Sequence, residues 1–125
     1  MASAFSDVRM RRSERLGEAL KDEIAEVVGF ELEDPRVEAA TVTDVIVTED
    51  LRDAKVYVVV RGGENEIKAA MKALHNASNF VRQQVAMNLS LRHVPSLHFI
   101  RDTAEENAER IEGIIQDLTK KGQLQ

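Results

Sequence analysis

The chain contains no cysteine and no tryptophan, and its aromatic residues are few: Phe5, Phe30, Tyr57, Phe80 and Phe99. Without cysteine there is no disulfide framework and no thiolate metal site. With so few rings, the core has to be built from aliphatic side chains. Proline is limited to Pro35 and Pro95, so regular elements can run long between them. No apolar run approaches the roughly 20 residues of a membrane-spanning helix. Met1 to Val8 also lacks the apolar stretch of a signal peptide, and Arg9 and Arg11 follow it. These absences point to a cytoplasmic protein away from any membrane, with no metal or cofactor expected.

One further absence is local. From Ile67 to Arg101 there is no Asp or Glu, although the whole chain has 22 acids against 17 Lys and Arg and a net charge of −5. That stretch carries Lys68, Lys72, Arg82, Arg92 and Arg101, with His75, His93 and His98 between them. A second group of bases, Arg9, Arg11, Arg12 and Arg15, precedes an acid-rich segment. Local charge, more than net charge, sets attraction to phosphate. An acidic protein with such patches is expected to present a cationic face to a polyanion.

At 125 residues and 43% hydrophobic content, the chain reads as a single domain over 1–125. Residues 1–8 are expected to form a loose terminus and 120–125 a short tail. From Ser13, the residues Leu16, Leu20, Ile24, Val27 and Val28 keep helical spacing. The pattern fades after Gly29, and Pro35 sets its outer limit. The arginines at this helix's entrance oppose its dipole, so they are either a polyanion-binding group or a solvated basic tail.

Thr41–Thr48 and Ala54–Arg61 have strand composition and flank a polar turn, which predicts an antiparallel hairpin. The second strand places Val56, Val58 and Val60 on one face and Lys55, Tyr57 and Val59 on the other. After Gly62-Gly63, a helix presents Ile67, Ala70, Met71 and Leu74 inward, with Lys68, Lys72, His75 and Asn79 along a neighbouring ridge. A break is expected at Ala77-Ser78-Asn79, with free N–H groups near Ser78 that could take a phosphate. The following helix buries Val81, Val85 and Leu89. It exposes Gln83, Gln84, Met87, Asn88 and Ser90, a face with little charge that suits hydrogen bonding to sugar or base edges, or a protein partner. Pro95 turns the chain into a strand at Leu97–Arg101. Thr103 to Glu106 fits a capping box opening a last helix with Ala108, Ile111, Ile115 and Leu118 inward.

The predicted order is α-β-β-α-kink-α-β with an extra C-terminal helix, an α+β arrangement with a three-stranded sheet packed against helices. It resembles the type II KH fold of RNA-binding proteins. The pieces Asp34-Pro35-Arg36, Asp50 to Val58, Phe80-Val81-Arg82 and Leu91 to Asp102 narrow the match. Together with the basic N-terminal segment, they resemble the bacterial ribosome-binding factor A family across nearly the whole chain. Where that family commonly has Ala-x-Gly, this chain has Ala77-Ser78-Asn79, and the Gly-x-x-Gly loop of most KH domains is absent.

The resemblance implies a non-catalytic factor that binds 16S rRNA in the free 30S subunit. It also implies assistance to late maturation and 5′-end processing of that RNA, with most effect in the cold, and release by an assembly GTPase. On this reading the protein is a monomer. Arg9, Arg11, Arg12, Arg15, Lys68, Lys72, Arg82, Arg92 and Arg101 would meet phosphates, and Ser78, Asn79, Gln83 and Asn88 would supply hydrogen bonds. Arg82 could instead pair with an acid of the last helix. Two other classes remain open. One is a protein-interaction or dimerisation module using Gln83, Gln84 and Met87. The other is a small enzyme using His75, His93, His98, Ser96 and Asp102, which no nucleophile elbow, metal spacing or phosphate loop supports.

Overall fold

The structure is a computed structural model that describes residues 11–105, 107 and 108. The expectations for residues 1–8, for Arg9, for most of the last helix and for 120–125 lie outside the described residues. The first helix, α1 (Arg12–Glu26), buries Leu20 and Ile24. Its hydrogen-bond ladder then widens into a π-helical turn at Val27–Glu31, closed by the Leu32 N–H donating to Val27 O at 3.1 Å. That turn keeps Val27 and Val28 buried while Phe30 points into solvent, 84% exposed. Asp34 caps a short 3₁₀ turn at Pro35–Val37 by accepting from Arg36 N–H. The Arg36 guanidinium also grips its carboxylate, at 2.7 Å for the shortest contact, which holds the Asp34 carboxyl below its usual range.

Strands β1 (Ala40–Val47) and β2 (Asp53–Val60) form the expected antiparallel hairpin. Their register shifts between Val42 and Asp44, a bulge that leaves Thr43 as the extra residue. Its hydroxyl donates to Asp102 Oδ2 at 2.6 Å. The turn at the hairpin's tip is held by Asp50, whose Oδ1 accepts from the Thr48 hydroxyl at 2.6 Å and from Arg52 N–H at 3.0 Å. Within it Leu51 adopts φ +63°, a left-handed conformation that leucine rarely takes.

Strand β3 (Ser96–Arg101) lies parallel to β2, giving a three-stranded mixed sheet in the order β1-β2-β3. A parallel neighbour needs a crossover, and α2 (Glu64–Asn88) supplies it. Helix α1 rests on β1, and α2 rests on β3. Between the layers Leu20, Ile24, Val27, Val56, Val58, Leu74, Val81 and Val85 are fully buried, each contributing about 1.5–3 kcal/mol. This is the expected α+β architecture with an aliphatic core. Tyr57, on the face opposite the inward valines, is only 3% exposed, whereas its neighbours on that face, Lys55 and Val59, are exposed.

The expected break at Ala77-Ser78-Asn79 is absent, because α2 runs unbroken from Glu64 to Asn88. Its core stripe, Ile67, Ala70, Leu74, Ala77, Val81 and Val85, passes straight through that point at helical spacing. Ser78 turns its hydroxyl back onto His75 O at 2.8 Å, which a helix accommodates. Neither Gly nor Pro interrupts, so continuing costs only the modest propensity penalty of Ser and Asn, and breaking would misalign the stripe. No free N–H groups therefore exist near Ser78. The helix ends instead at Ser90 (φ +53°), where Leu91 N–H donates to Ala86 O and Ser90 N–H to Met87 O. These two bonds make a Schellman closure.

Candidate nucleic-acid interface

The end of α2 and the loop leading to β3 set the first part of the site. Arg82 donates from Nε to Val94 O at 2.8 Å. That bond ties the loop to the helix and leaves the two Nη groups of the fork for other partners. Around it Asn79, Gln83, Ala86, Arg92, His93 and Val94 line a concavity of about 260 Å³. No carboxylate is among these lining residues.

A second concavity, of about 590 Å³, adjoins the first through Arg92 and His93. Its other walls are Arg12, Arg15 and Leu16 from α1, Leu51 from the hairpin turn, and Leu91. Two cationic groups that lie far apart in sequence thus meet here. The N-terminal arginines and the acid-free stretch form one rim of Arg12, Arg15, Arg82 and Arg92. Arg12, Arg15 and Arg92 have no carboxylate within 4.0 Å among the described residues.

The unbroken helix extends this rim. Lys68, Lys72, His75, Asn79 and Arg82 follow one another at steps of four and three residues along α2, a single ridge about 21 Å long at 1.5 Å per residue. Lys68 and Lys72 lie on it. His75 directs Nε2 at Phe99 O, 2.9 Å away. A carbonyl only accepts, so this nitrogen carries the proton.

The remaining residues singled out from the sequence are not drawn into the rim. Arg11 pairs with Glu49 at 2.8 Å, and Arg101 with Glu64 at 3.5 Å. Asn88 donates its amide to Glu23 Oε1 at 2.6 Å, bracing α2 against α1. The Ser78 hydroxyl is committed to His75 O. Arg82, by contrast part of the rim, contacts a carbonyl and has no carboxylate within 4.0 Å among the described residues, which leave out most of the last helix.

The histidines considered for catalysis do not converge. His75 faces Phe99 O, His98 meets Asp53 Oδ1 at 2.8 Å, and His93 stands on the rim. Among the described residues no cluster of three His, Asp or Glu side chains is placed to hold a metal ion, and no helix is long and apolar enough to cross a membrane. Sequence reasoning missed the apolar floor of Leu16, Leu51 and Leu91. Only Leu16 stood in a visible helical pattern, and the other two are placed by turns.

Comparison with known proteins adds to this geometry. The family profile described as Ribosome-binding factor A matches residues 12–115. A ribosome-binding factor A of Staphylococcus epidermidis is 42% identical over 109 residues, 87% of this chain and 94% of that protein. That of Staphylococcus carnosus is 43% identical over 110 residues, 88% and 96% of the respective chains. The crystal structure of ribosome-binding factor A from Thermus thermophilus superposes with a TM-score of 0.63 at 30% identity, covering 71% of this chain and 94% of its own. A homology model of the Thermus thermophilus factor, fitted into a cryo-EM map of its complex with the 30S subunit, gives a TM-score of 0.58 at 30% identity over 74% of this chain and 93% of that one.

Proposed function

The chain belongs to the ribosome-binding factor A family, and from that premise we propose that it binds the free 30S ribosomal subunit through 16S rRNA. One observation carries this reading, the rim of Arg12, Arg15, Arg82 and Arg92, without a carboxylate within 4.0 Å among the described residues and continued by the Lys68–Lys72 ridge. On this reading Asn79 and Gln83 add hydrogen bonds beside the arginines. Arg9 precedes these arginines in sequence and would add a phosphate contact on this reading, although it lies outside the described residues.

The mode of action is non-catalytic. A protein that binds one arrangement of immature rRNA more tightly than another shifts the population by that difference in affinity. Assistance to late maturation and to processing of the 16S 5′ end would follow from holding the RNA in the arrangement its nucleases accept. The need for such help is greatest in the cold, when RNA rearranges slowly. The protein acts as a cytoplasmic monomer, and a GTPase of the assembly pathway would drive its release.

Sedimentation of the purified protein with free small subunits tests the proposal. Co-sedimentation with free 30S particles and loss of it on Arg92→Glu are expected. Arg82 is a poorer choice for this variant, because its Nε also holds the loop at Val94. A folded Arg92→Glu protein that binds subunits as well as wild type would remove the rim from the proposal.

A second reading has one observation in its favour. Phe80 and Met87 are 43% and 66% exposed on α2, and such apolar side chains suit a protein partner. Light scattering separates the two readings, because a dimer that survives high salt and buries Met87 would favour a protein interface.

A further inference from the structure

We propose that the concavity floored by Leu16, Leu51 and Leu91 receives one unpaired nucleobase of single-stranded RNA, while Arg12, Arg15 and Arg92 take the phosphates that flank it. The inference rests on the RNA-binding reading above and assigns to that site a ligand finer than a phosphate backbone.

Chemistry and shape together point to this occupant. Phosphate alone needs cations and water around it, and an apolar floor gives it nothing. A base with its phosphates matches both halves, with a flat and weakly polar ring below and anions at the rim. The concavity, about 590 Å³, falls within the size range of pockets that bury a small ligand. A base held in a duplex cannot reach such a floor, so the site selects unpaired RNA, the usual target of specific recognition. His93, exposed on the same wall, offers a second flat surface.

Backbone strain supports the assignment. Among the described residues, the non-glycine residues with positive φ are Leu51 and Ser90. Leu51 lines this concavity, and Ser90, which does not line it, immediately precedes the lining Leu91. A left-handed leucine costs roughly 1–2 kcal/mol against a permissive residue. Asn, Asp or Gly would fill that turn position without the cost, but none would place an aliphatic side chain at the floor. Strain kept where a surface is built is the pattern of a functional position.

The test uses the full chain and two probes of equal charge. One is a uridine decamer, and the other is a decamer of ribose phosphates that lacks the bases. Binding of each is read by fluorescence anisotropy, next to co-sedimentation with free 30S subunits. Wild type should prefer the base-bearing decamer by about five-fold or more, as burying about 40 Å² of the base against the leucines at roughly 25 cal/mol per Å² gives. Leu51→Asn tolerates the left-handed turn and removes the floor, so it should erase that preference while still binding the base-free decamer. Leu91→Ser is the second variant should Leu51→Asn fail to fold. Arg92→Gln should weaken both decamers alike.

Binding to 30S subunits with no preference for the uridine decamer, whether both decamers bind equally or neither does, would overturn the base pocket and leave the subunit reading standing. Failure to bind subunits and both decamers would overturn the subunit reading itself, and the pocket with it. Occupation of the floor by a peptide rich in Leu and Glu, in place of the uridine decamer, would assign it to a protein partner and also overturn the proposal.

Discussion

Arg92 and Arg101 look equivalent in sequence, as bases of one acid-free stretch, but their surroundings differ, and that difference can be measured. Arg92 lines both concavities and has no carboxylate within 4.0 Å among the described residues. Arg101 shares its charge with Glu64 at 3.5 Å. For RNA, each phosphate contact contributes a slope of about −0.7 to −0.9 to the dependence of log K on log salt. A fourfold rise in salt therefore removes roughly 0.4–0.5 log units of affinity per contact. Rim contacts by Arg12, Arg15, Arg82 and Arg92 together would cost binding about fifty- to 150-fold across that range. Arg92→Gln should lower the absolute slope by about one contact, roughly 0.7–0.9. Arg101→Gln should leave it near the wild-type value, because the charge removed was already offset. The assay is a titration of free 30S binding against monovalent salt at fixed magnesium, comparing variants with one another. Equal slope changes for the two variants would refute the rim as the place where phosphates are neutralised.

Other predictions concern the scaffold. A Cβ at Gly17 would sit 3.0 Å from the Val45 carbonyl oxygen, which the strand holds in place, whereas one at Gly29 meets nothing within 4 Å. Overpacking of about 1–3 kcal/mol should outweigh the roughly 0.5–1 kcal/mol that removing a helical glycine returns. Gly17→Ala should thus lose about 1 kcal/mol in urea denaturation while Gly29→Ala loses nothing, and a stabilised Gly17→Ala would contradict the close approach of α1 to β1. Ser90→Gly relieves the left-handed closure of α2 and should raise stability by up to about 1 kcal/mol, read as a higher melting temperature. In the hairpin turn, the Thr48 hydroxyl and then the Arg52 amide hold the Asp50 carboxyl below its ordinary value of 3.8. A folded value below the unfolded one gives stability that is complete above pH 3.8 and is lost as pH falls through the folded value. Asp50→Ala should accordingly flatten the acid limb of the stability–pH curve, and superimposable curves would exclude this role.

The sheet and helices are legible in the sequence because one periodicity dominates each segment. Alternating valines in β2 and a 3–4 stripe in each helix leave few other ways to bury the chain. The break expected at Ala77–Asn79 fails because it weighs local propensity above that same stripe. Ala77 and Val81 continue Leu74 at helical spacing, and the cost of interrupting them exceeds that of a helical Ser or Asn. The pairings of Arg11 with Glu49 and Arg101 with Glu64 join residues 38 and 37 positions apart, so no local pattern could disclose them.

The charge of the proposed site is visible in the sequence, and its shape is not. A missing carboxylate is a property of composition, but an apolar floor appears only when α1, a strained hairpin turn and a Schellman closure bring Leu16, Leu51 and Leu91 together. The distribution of charge has its own consequence for the proposed activity. A net charge of −5 repels a polyanion from most directions, and at physiological salt such fields fade within about 8 Å. Attraction is left to the arginine rim at close range, so encounters succeed mainly when that face leads. An evenly basic protein would adhere to RNA anywhere along its length. On the proposed reading, a net-acidic protein with a cationic concavity would bind where unpaired RNA fits that concavity and dissociate readily elsewhere, as the proposed assembly role requires.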